Sequence, residues 1–403
     1  MRIVLVTYGS RGDVQPLLAF SLALREAGHH VMLVCPPERV AWVRGYGCRA
    51  RGLGRDVTAY VDGMERAHSL GAALRFIAFV RRELVRQFDL LPDLVAGADL
   101  VVGSSLAFGL ATVAERQGIP YRYIAFTPQL LPSRSHPFMA YKSQGLPGWW
   151  NGLTWRTVRA ADRLNLTRMI NERRRVWGLS PIEDAWAHIL GARVIVASDS
   201  VLYPVPRDAP AGVVQIGYLH LEQPDVRLPG LEAFLSKGTA PVYAGFGSMP
   251  RRDQARNLSL LVRAVRAAGR RVIVGKFWEG PSAFDREEDV FFLKGYPHLR
   301  LFPRMAAVIH HGGAGTTASC TTSGVPQVIV PHILDQYGWG YRVWRSGLGP
   351  RPVRRSRMTW KRLARALNAC LGSDKMRRAA EQAARKIDRR ESLARAVLEA
   401  EGA

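Results

Sequence analysis

The 403-residue chain has no stretch of about 18 or more uncharged apolar residues, so no segment reads as a transmembrane helix. Its apolar start, MRIVLVTYG, is short and runs straight into a turn, so it reads as a first strand and not a signal peptide. Cysteine is scarce. Cys35, Cys48, Cys320 and Cys370 show no CxxC or metal-ligand spacing, which argues against a disulfide framework and leaves reduced thiols of a cytoplasmic protein as the expectation. No DxD pattern occurs, and the acidic run Asp285 to Asp289 lacks it too; no metal site is expected. Acidic side chains are in deficit, with 33 Asp and Glu against 57 Lys and Arg, a formal charge of +24. The excess has no zinc-finger spacing, RNP-like aromatics or basic heptads beside it, so no nucleic-acid partner is expected. A solvated arginine-rich surface is the plain reading, and peripheral attraction to an anionic membrane face is the second.

What is present is core material, 47% hydrophobic, in a chain long enough for about two domains. Ile3 to Thr7 is a continuous apolar run, as in a buried parallel strand, and Val14, Leu17, Leu18 and Leu22 follow at helical spacing. Gly28 ends that helix and His30 to Val34 returns as a strand, a βαβ unit. Strands are expected again at Asp99–Val102, Tyr121–Phe126, Val194–Ala197 and Val213–Ile216, with Arg49 to Pro92 mostly helical. Thr127 to Gly148 is dense in Pro and turn formers, and a loop this long is usually functional. Trp149 to Trp177 reads as one long amphipathic helix. Gly217 to Thr239 looks like a linker. A second series follows, with strands at Val242–Phe246, Arg271–Val274 and Val290–Leu293 and a charged helical tail from Trp360. The fold class is α/β, two Rossmann-like doubly wound domains facing a cleft. The divisions fall at 1–216, a linker at 217–239, 240–376, and terminal helices at 377–403.

The chemistry gathers in Ala307 to Val343. An apolar strand ends in His310 and His311, a turn of Gly and small residues follows, and Thr316 opens a helix. Strand, glycine-rich turn and helix N-terminus form an anion site, because unpaired N–H groups and the positive dipole end meet there. His311 would donate an N–H to a diphosphate oxygen beside the amides of Gly313, Gly315 and Thr316; the structural alternative is a strand-end histidine bonded to a carbonyl. His310 points the opposite way and reads as structural. Asp335 and Gln336, after the next strand, can accept from and donate to sugar hydroxyls, or Asp335 can cap its helix. Ser248, in GFGSM, could bond a phosphate. In GSRGDVQP, Asp13 is either a general base facing the cleft or an N-cap. Arg11 is either a diphosphate partner or a solvated arginine. That turn is GxxG and not GxGxxG, against a dinucleotide site.

GSRGDVQP at Gly9, GFGSM at Gly245, LFPRMAAVIHHGGAGTT at Leu301, GVPQVIVP at Gly324 and DQYGWGYRV at Asp335 occur in the order and spacing of one family. The chain resembles the metal-independent, inverting glycosyltransferases of GT-B fold that include glycopeptide-antibiotic, sterol and UDP-sugar transferases. The resemblance implies Asp13 as catalytic base, with Ser10, Arg11 and Gly12 near the diphosphate. It implies Ser248, His311, Gly313, Gly315 and Thr316 as phosphate positions and Asp335 with Gln336 as readers of the donor sugar. Tyr296 and His298 fall where relatives hold the nucleobase, although GYPH departs from the Trp-x-Pro-Gln of plant members, which leaves UDP against dTDP open. It further implies an N-terminal acceptor domain, a C-terminal donor domain and a tail that crosses back to the first domain. The partners expected are a UDP- or dTDP-sugar and a lipophilic acceptor, with no cofactor beyond the co-substrate; Phe138 and Trp149 are read as holding that acceptor or, equally, as core. Two rivals share the features: a nucleotide-sugar 2-epimerase, and a non-catalytic sugar-nucleotide-binding or membrane-docking protein.

Overall fold

The computed structural model describes residues 1–55, 70–224, 226–247, 253–275, 282–293 and 295–402. Seven strands form the first sheet: β1 (Arg2–Tyr8), β2 (His30–Cys35), β3 (Arg49–Gly52), β4 (Leu100–Ser105), β5 (Tyr121–Ala125), β6 (Val194–Val196) and β7 (Val213–Gln215). Their order is β3-β2-β1-β4-β5-β6-β7, and every neighbouring pair is parallel. Helices α1 (Arg11–Glu26), α2 (Pro37–Arg44), α3 (Leu70–Val95), α4 (Leu110–Gln117), α5 (Gly148–Asp162), α6 (Arg168–Val176) and α7 (Ala185–Leu190) belong to this half. The sheet is buried on both faces, which explains the unbroken apolar run of β1. Val4 and Val6 pack with Leu91 and Val101 on one side, and Ile3 and Leu5 with Leu17 and Phe20 on the other.

The second sheet holds β8 (Val242–Gly245), β9 (Val272–Val274), β10 (Val290–Phe292), β11 (Ala307–His310) and β12 (Gln327–Ile329), in the order β10-β9-β8-β11-β12, again all parallel. Around and before it lie α8 (Leu231–Ser236), α9 (Gln254–Ala267), α10 (His298–Leu301), α11 (Ala314–Thr322), α12 (Gln336–Arg345), α13 (Trp360–Leu371), α14 (Asp374–Ala384) and α15 (Arg389–Glu401). The last of these packs Ala396 and Ala400 into the α1 side of the first core, and Arg122 and Arg193 both donate to the Gly402 carbonyl. Leu202 and Tyr203 of the first half share a buried cluster with Trp339, Val343 and Ala380 of the second. Among the described residues no helix is long and apolar enough to cross a membrane.

Several expectations change. β3 falls in a stretch read as helical: RARG has no apolar signal, and only backbone pairing with β2 at the sheet edge makes it a strand. The long helix after Trp149 is two helices joined by a π-turn at Arg163–Thr167. The linker contains α8.

Topology sets the cleft. In an open parallel sheet, ligands bind beyond the strand ends where the order reverses, here between β1 and β4 and between β8 and β11. Tyr8 is in register with Ser105, so the turn at Gly9 emerges beside Ser105. Gly245 is in register with His310, so the loops after β8 and β11 also emerge together. The β11 turn depends on Gly312, at φ +88°, where a Cβ would meet Ile329 Cγ2 at 2.8 Å. Gly312→Ala is therefore expected to cost about 2–4 kcal/mol, from left-handed backbone and overpacking together. Gly152→Ala, inside α5 with open space around it, should be neutral or slightly stabilising. Calorimetric melting points of the two variants check this, and equal values would refute it.

Candidate active site

A cavity of about 1020 Å³ lies between the two sets of loops, lined from Tyr8–Asp13 and Ser105 on one side and from His311–Thr316 and Asp335 on the other. Asp13 is the organised carboxylate of the first side. Ser10, not Asp13, is the N-cap of α1, and Asp13 is the N3 member of a capping box. Asp13 Oδ2 accepts from Ser10 N at 2.7 Å and Ser10 Oγ at 2.9 Å, and Oδ1 accepts from Ser105 Oγ at 2.6 Å. Burial raises the Asp13 pKa above the usual carboxylate range, and the two serine hydroxyls pull it partly back. Gly9 must lack a side chain, because a Cβ there would lie 2.5 Å from Asp13 Oδ2. Ser105 holds a left-handed backbone, φ +54°, and its carbonyl accepts from Tyr123 Oη at 3.1 Å.

The second side presents an uncapped helix N-terminus. α11 starts at Gly313 with no side-chain cap, so the first N–H groups of a nine-residue helix are left for a ligand where Gly313, Gly315 and Thr316 line the cleft. His311 is buried beside them, with Nδ1 lacking a partner among the described residues. Burial, then the neighbouring His310, His332 and His298, hold its pKa well below the usual value, so it is a neutral donor–acceptor ring. Glycine at two positions admits that ring: a Cβ on Gly313 would lie 2.5 Å from His311 Nε2, and one on Gly247 would lie 2.9 Å from Cε1. His310 is structural, as expected. Gly312 N donates to its Nδ1 at 3.1 Å, and its Nε2 meets Gln327 Oε1 at 3.0 Å.

Asp335 sits at the N-cap position of α12 but makes no capping bond, so the capping alternative is not met. Its Oδ2 accepts from the Trp339 indole at 2.9 Å, and Trp339 stacks edge-on against Tyr203 of the first half at 5.4 Å. Burial raises the Asp335 pKa to about 7, with the indole bond opposing and Asp13 across the cleft adding. Gln336 turns its amide oxygen to the backbone N–H groups of His332 and Ile333, at 2.8 and 3.1 Å. That oxygen is committed to the loop.

Arg11 reaches the cleft with its guanidinium 5.0 Å above the Trp42 ring, and its buried Nε has no partner among the described residues. Burial, then Arg39, lowers its pKa. Ser10 and Gly12 line the same wall, although the Ser10 hydroxyl is engaged with Asp13. Tyr296 and His298 line the opposite wall, where His298 stacks on Phe302 at 4.4 Å and is drawn down to about 4 by burial and then Arg11. Ser248 lies outside the described residues. Two expected acceptor residues are not brought to the cleft. Phe138 is wedged between Trp155 and Trp186, at 5.2 and 5.8 Å, and Trp149 is 66% exposed on the outer surface. Leu106, Phe108, Leu130, Met139 and Trp186 form the apolar wall instead. Ser105 and the linker residue Tyr218, which lines the cavity with its hydroxyl 2.7 Å from where a Cβ on Gly315 would lie, were not singled out from the sequence. The first had a signal, two small hydroxyls at the carboxyl end of an apolar strand; the second had none.

The backbone matches the solved glycosyltransferase of kitacinnamycin at a TM-score of 0.75, with 18% identity over 98% of this chain and 97% of that one. It matches the calicheamicin glycosyltransferase CalG4 at 0.72, with 19% identity over 100% and 97%. These likenesses define the fold class, two parallel-sheet α/β domains of GT-B type. In sequence, residues 3–133 match the glycosyltransferase family 28 N-terminal domain, and residues 288–394 match the erythromycin biosynthesis protein CIII-like C-terminal domain. Among relatives, glycosyltransferase GtfE of Amycolatopsis orientalis is 37% identical, covering 87% of this chain and 85% of its own length. The vancomycin aglycone glucosyltransferase of the same organism is 34% identical over 87% and 85%, and a sterol 3-beta-glucosyltransferase of Arabidopsis thaliana, UGT80B1, is 30% identical over 92% and 63%. The chain belongs to this family of glycosyltransferases, which spans glycopeptide-antibiotic and sterol enzymes.

The raised Asp335 pKa has a thermodynamic consequence. A folded-state value near 7 means that stability present below the unfolded pKa, about 4, is lost as pH rises toward 7. Asp335→Asn should therefore melt higher than the parent at about pH 8, by an amount of order 1–3 kcal/mol, with the gap closing at about pH 4. Melting curves at the two pH values test this; a constant gap would sink it.

Proposed function

We propose that this glycosyltransferase moves a hexose from a UDP- or dTDP-sugar to a hydroxyl of a lipophilic acceptor, with inversion and without a metal ion. The observation that carries the reading is Asp13, held by Ser10 and Ser105 and facing the uncapped N-terminus of α11 across one cleft. Asp13 takes the acceptor proton as the acceptor oxygen attacks the anomeric carbon from the face opposite the diphosphate. The bond from that carbon to the diphosphate oxygen breaks, and the departing electron pair is met by the α11 amides, His311 and Arg11. Asp335 accepts from a donor-sugar hydroxyl, its second oxygen fixed by Trp339. A nucleoside-diphosphate donor is supported by a structural neighbour, VinC, solved in complex with DTDP, at TM-score 0.69 and 20% identity over 100% of both chains. The apolar wall at Phe108, Met139 and Trp186 supports a lipophilic acceptor, as do the aglycone and sterol named for the relatives.

A panel of UDP- and dTDP-sugars in thermal shift, followed by an acceptor screen, identifies the substrates. Asp13→Asn should then lower kcat by roughly 10²-fold or more and leave donor affinity within about twofold. Retained turnover would remove the base assignment. Donor incubated without acceptor should give no isomerised sugar; isomerisation would favour the epimerase. Ser105→Ala tests the support of the base. Because the Ser105 bond lowers the Asp13 pKa, its loss should move the acid limb of the kcat/KM profile to higher pH, and an unmoved limb would refute the coupling.

A further inference from the structure

We infer that the outer face of α5 and α6 is a docking surface for an anionic phospholipid bilayer. The rod from Gly148 to Val176 covers the first domain on its inner side, where Asn151, Trp155, Leu166 and Ile170 are buried. Its outer side is not dressed as an ordinary solvated helix. Trp149 is 66% exposed, Trp150 43%, Leu153 41% and Leu164 77%. With Val176, these are five of the eleven large apolar side chains exposed among the described residues, so the apolar surface is concentrated here. Trp149 and Trp150 pack edge-to-face at 5.1 Å, an amphipathic pair of the kind that suits a headgroup interface.

Charge selects the occupant. The rod carries seven arginines against Asp162 and Glu172. Arg173 and Arg174 turn toward Asp89 and Glu115, and Arg159 toward Asp184. Arg156, Arg163 and Arg175 are left on the exposed side between the apolar residues, while Arg168, also exposed, pairs with Glu172. The two acids offset little of it: Asp162 is bonded to the Trp186 indole, and Glu172, between Arg81 and Arg168, answers one of the seven arginines. Indole and leucine interleaved with outward guanidinium groups match a surface that is apolar below and phosphate-rich above. An acidic protein groove would satisfy the arginines but would not require five exposed apolar side chains beside them.

The face is separate from the cleft but adjoins it through one layer. Phe138 N donates to Thr154 Oγ1 at 3.1 Å, the Phe138 ring packs on Trp155, and the next residue, Met139, lines the cavity. Docking here would bring the apolar wall close to the membrane. The inference goes beyond the transfer reaction, and its test needs neither donor nor acceptor.

The test is flotation of the full chain with vesicles of phosphatidylcholine alone or with added phosphatidylglycerol. The expected result is flotation with the anionic vesicles only, with a blue shift in tryptophan emission. Trp149→Ser combined with Leu164→Ser should reduce bound protein roughly tenfold or more, as should Arg156→Glu combined with Arg163→Glu. All four positions are exposed, so melting temperature and donor affinity should not move. Wild-type protein that fails to float, or floats equally with neutral vesicles, overturns the proposal. So does full binding by both double variants, which would assign attraction to the remaining basic surface. None of these outcomes bears on Asp13, whose variant is read with a dispersed acceptor.

Discussion

The parallel registers of β1 on β4 and of β8 on β11 are the constraint on which the cleft depends. Parallel strands end together, and where the strand order reverses their loops diverge and leave a crevice. Register places Ser105 beside the turn that carries Asp13, and Gly245 beside the end of β11 from which His311 emerges. Were either pairing shifted by one residue, the side chains at the strand ends would exchange faces and the site would be lost.

Desolvation unites the groups that those registers assemble. The carboxylates of Asp13 and Asp335 are raised by burial in the same cleft, while the His311 and His298 rings are kept neutral by it. Each carboxylate is held by donors from its own domain, serines for Asp13 and an indole for Asp335. Burying these carboxylates carries a thermodynamic cost that further hydrogen-bond donors to them would relieve. Trp339 ties this to domain packing, since the indole that restrains Asp335 also rests on Tyr203 of the other half.

Most of the fold and the loop side of the cleft that carries His311 were legible in the chain, because both rest on local patterns. Doubly buried strands show as apolar runs, and that loop side needs its glycines, histidine and helix start within a few consecutive residues. The apolar wall of the cleft was not legible. Phe138 and Trp149 have the composition of a lipophilic wall, yet one is wedged behind the wall and the other faces outward. An aromatic residue suits core, pocket and surface alike, and only packing decides among them.

The sequence by itself determined two α/β domains, a glycine-rich turn and helix start after β11, and the candidacy of Asp13, since spacing and residue chemistry suffice for each. Tertiary structure decided what those residues meet. Ser10 took the cap and left Asp13 to accept three hydrogen bonds, Ser105 arrived from 92 positions away, and Trp339 occupied the oxygen with which Asp335 could have capped α12. Partners distant in the chain meet only when strand order and register are set, and contact of that kind leaves no trace in local periodicity.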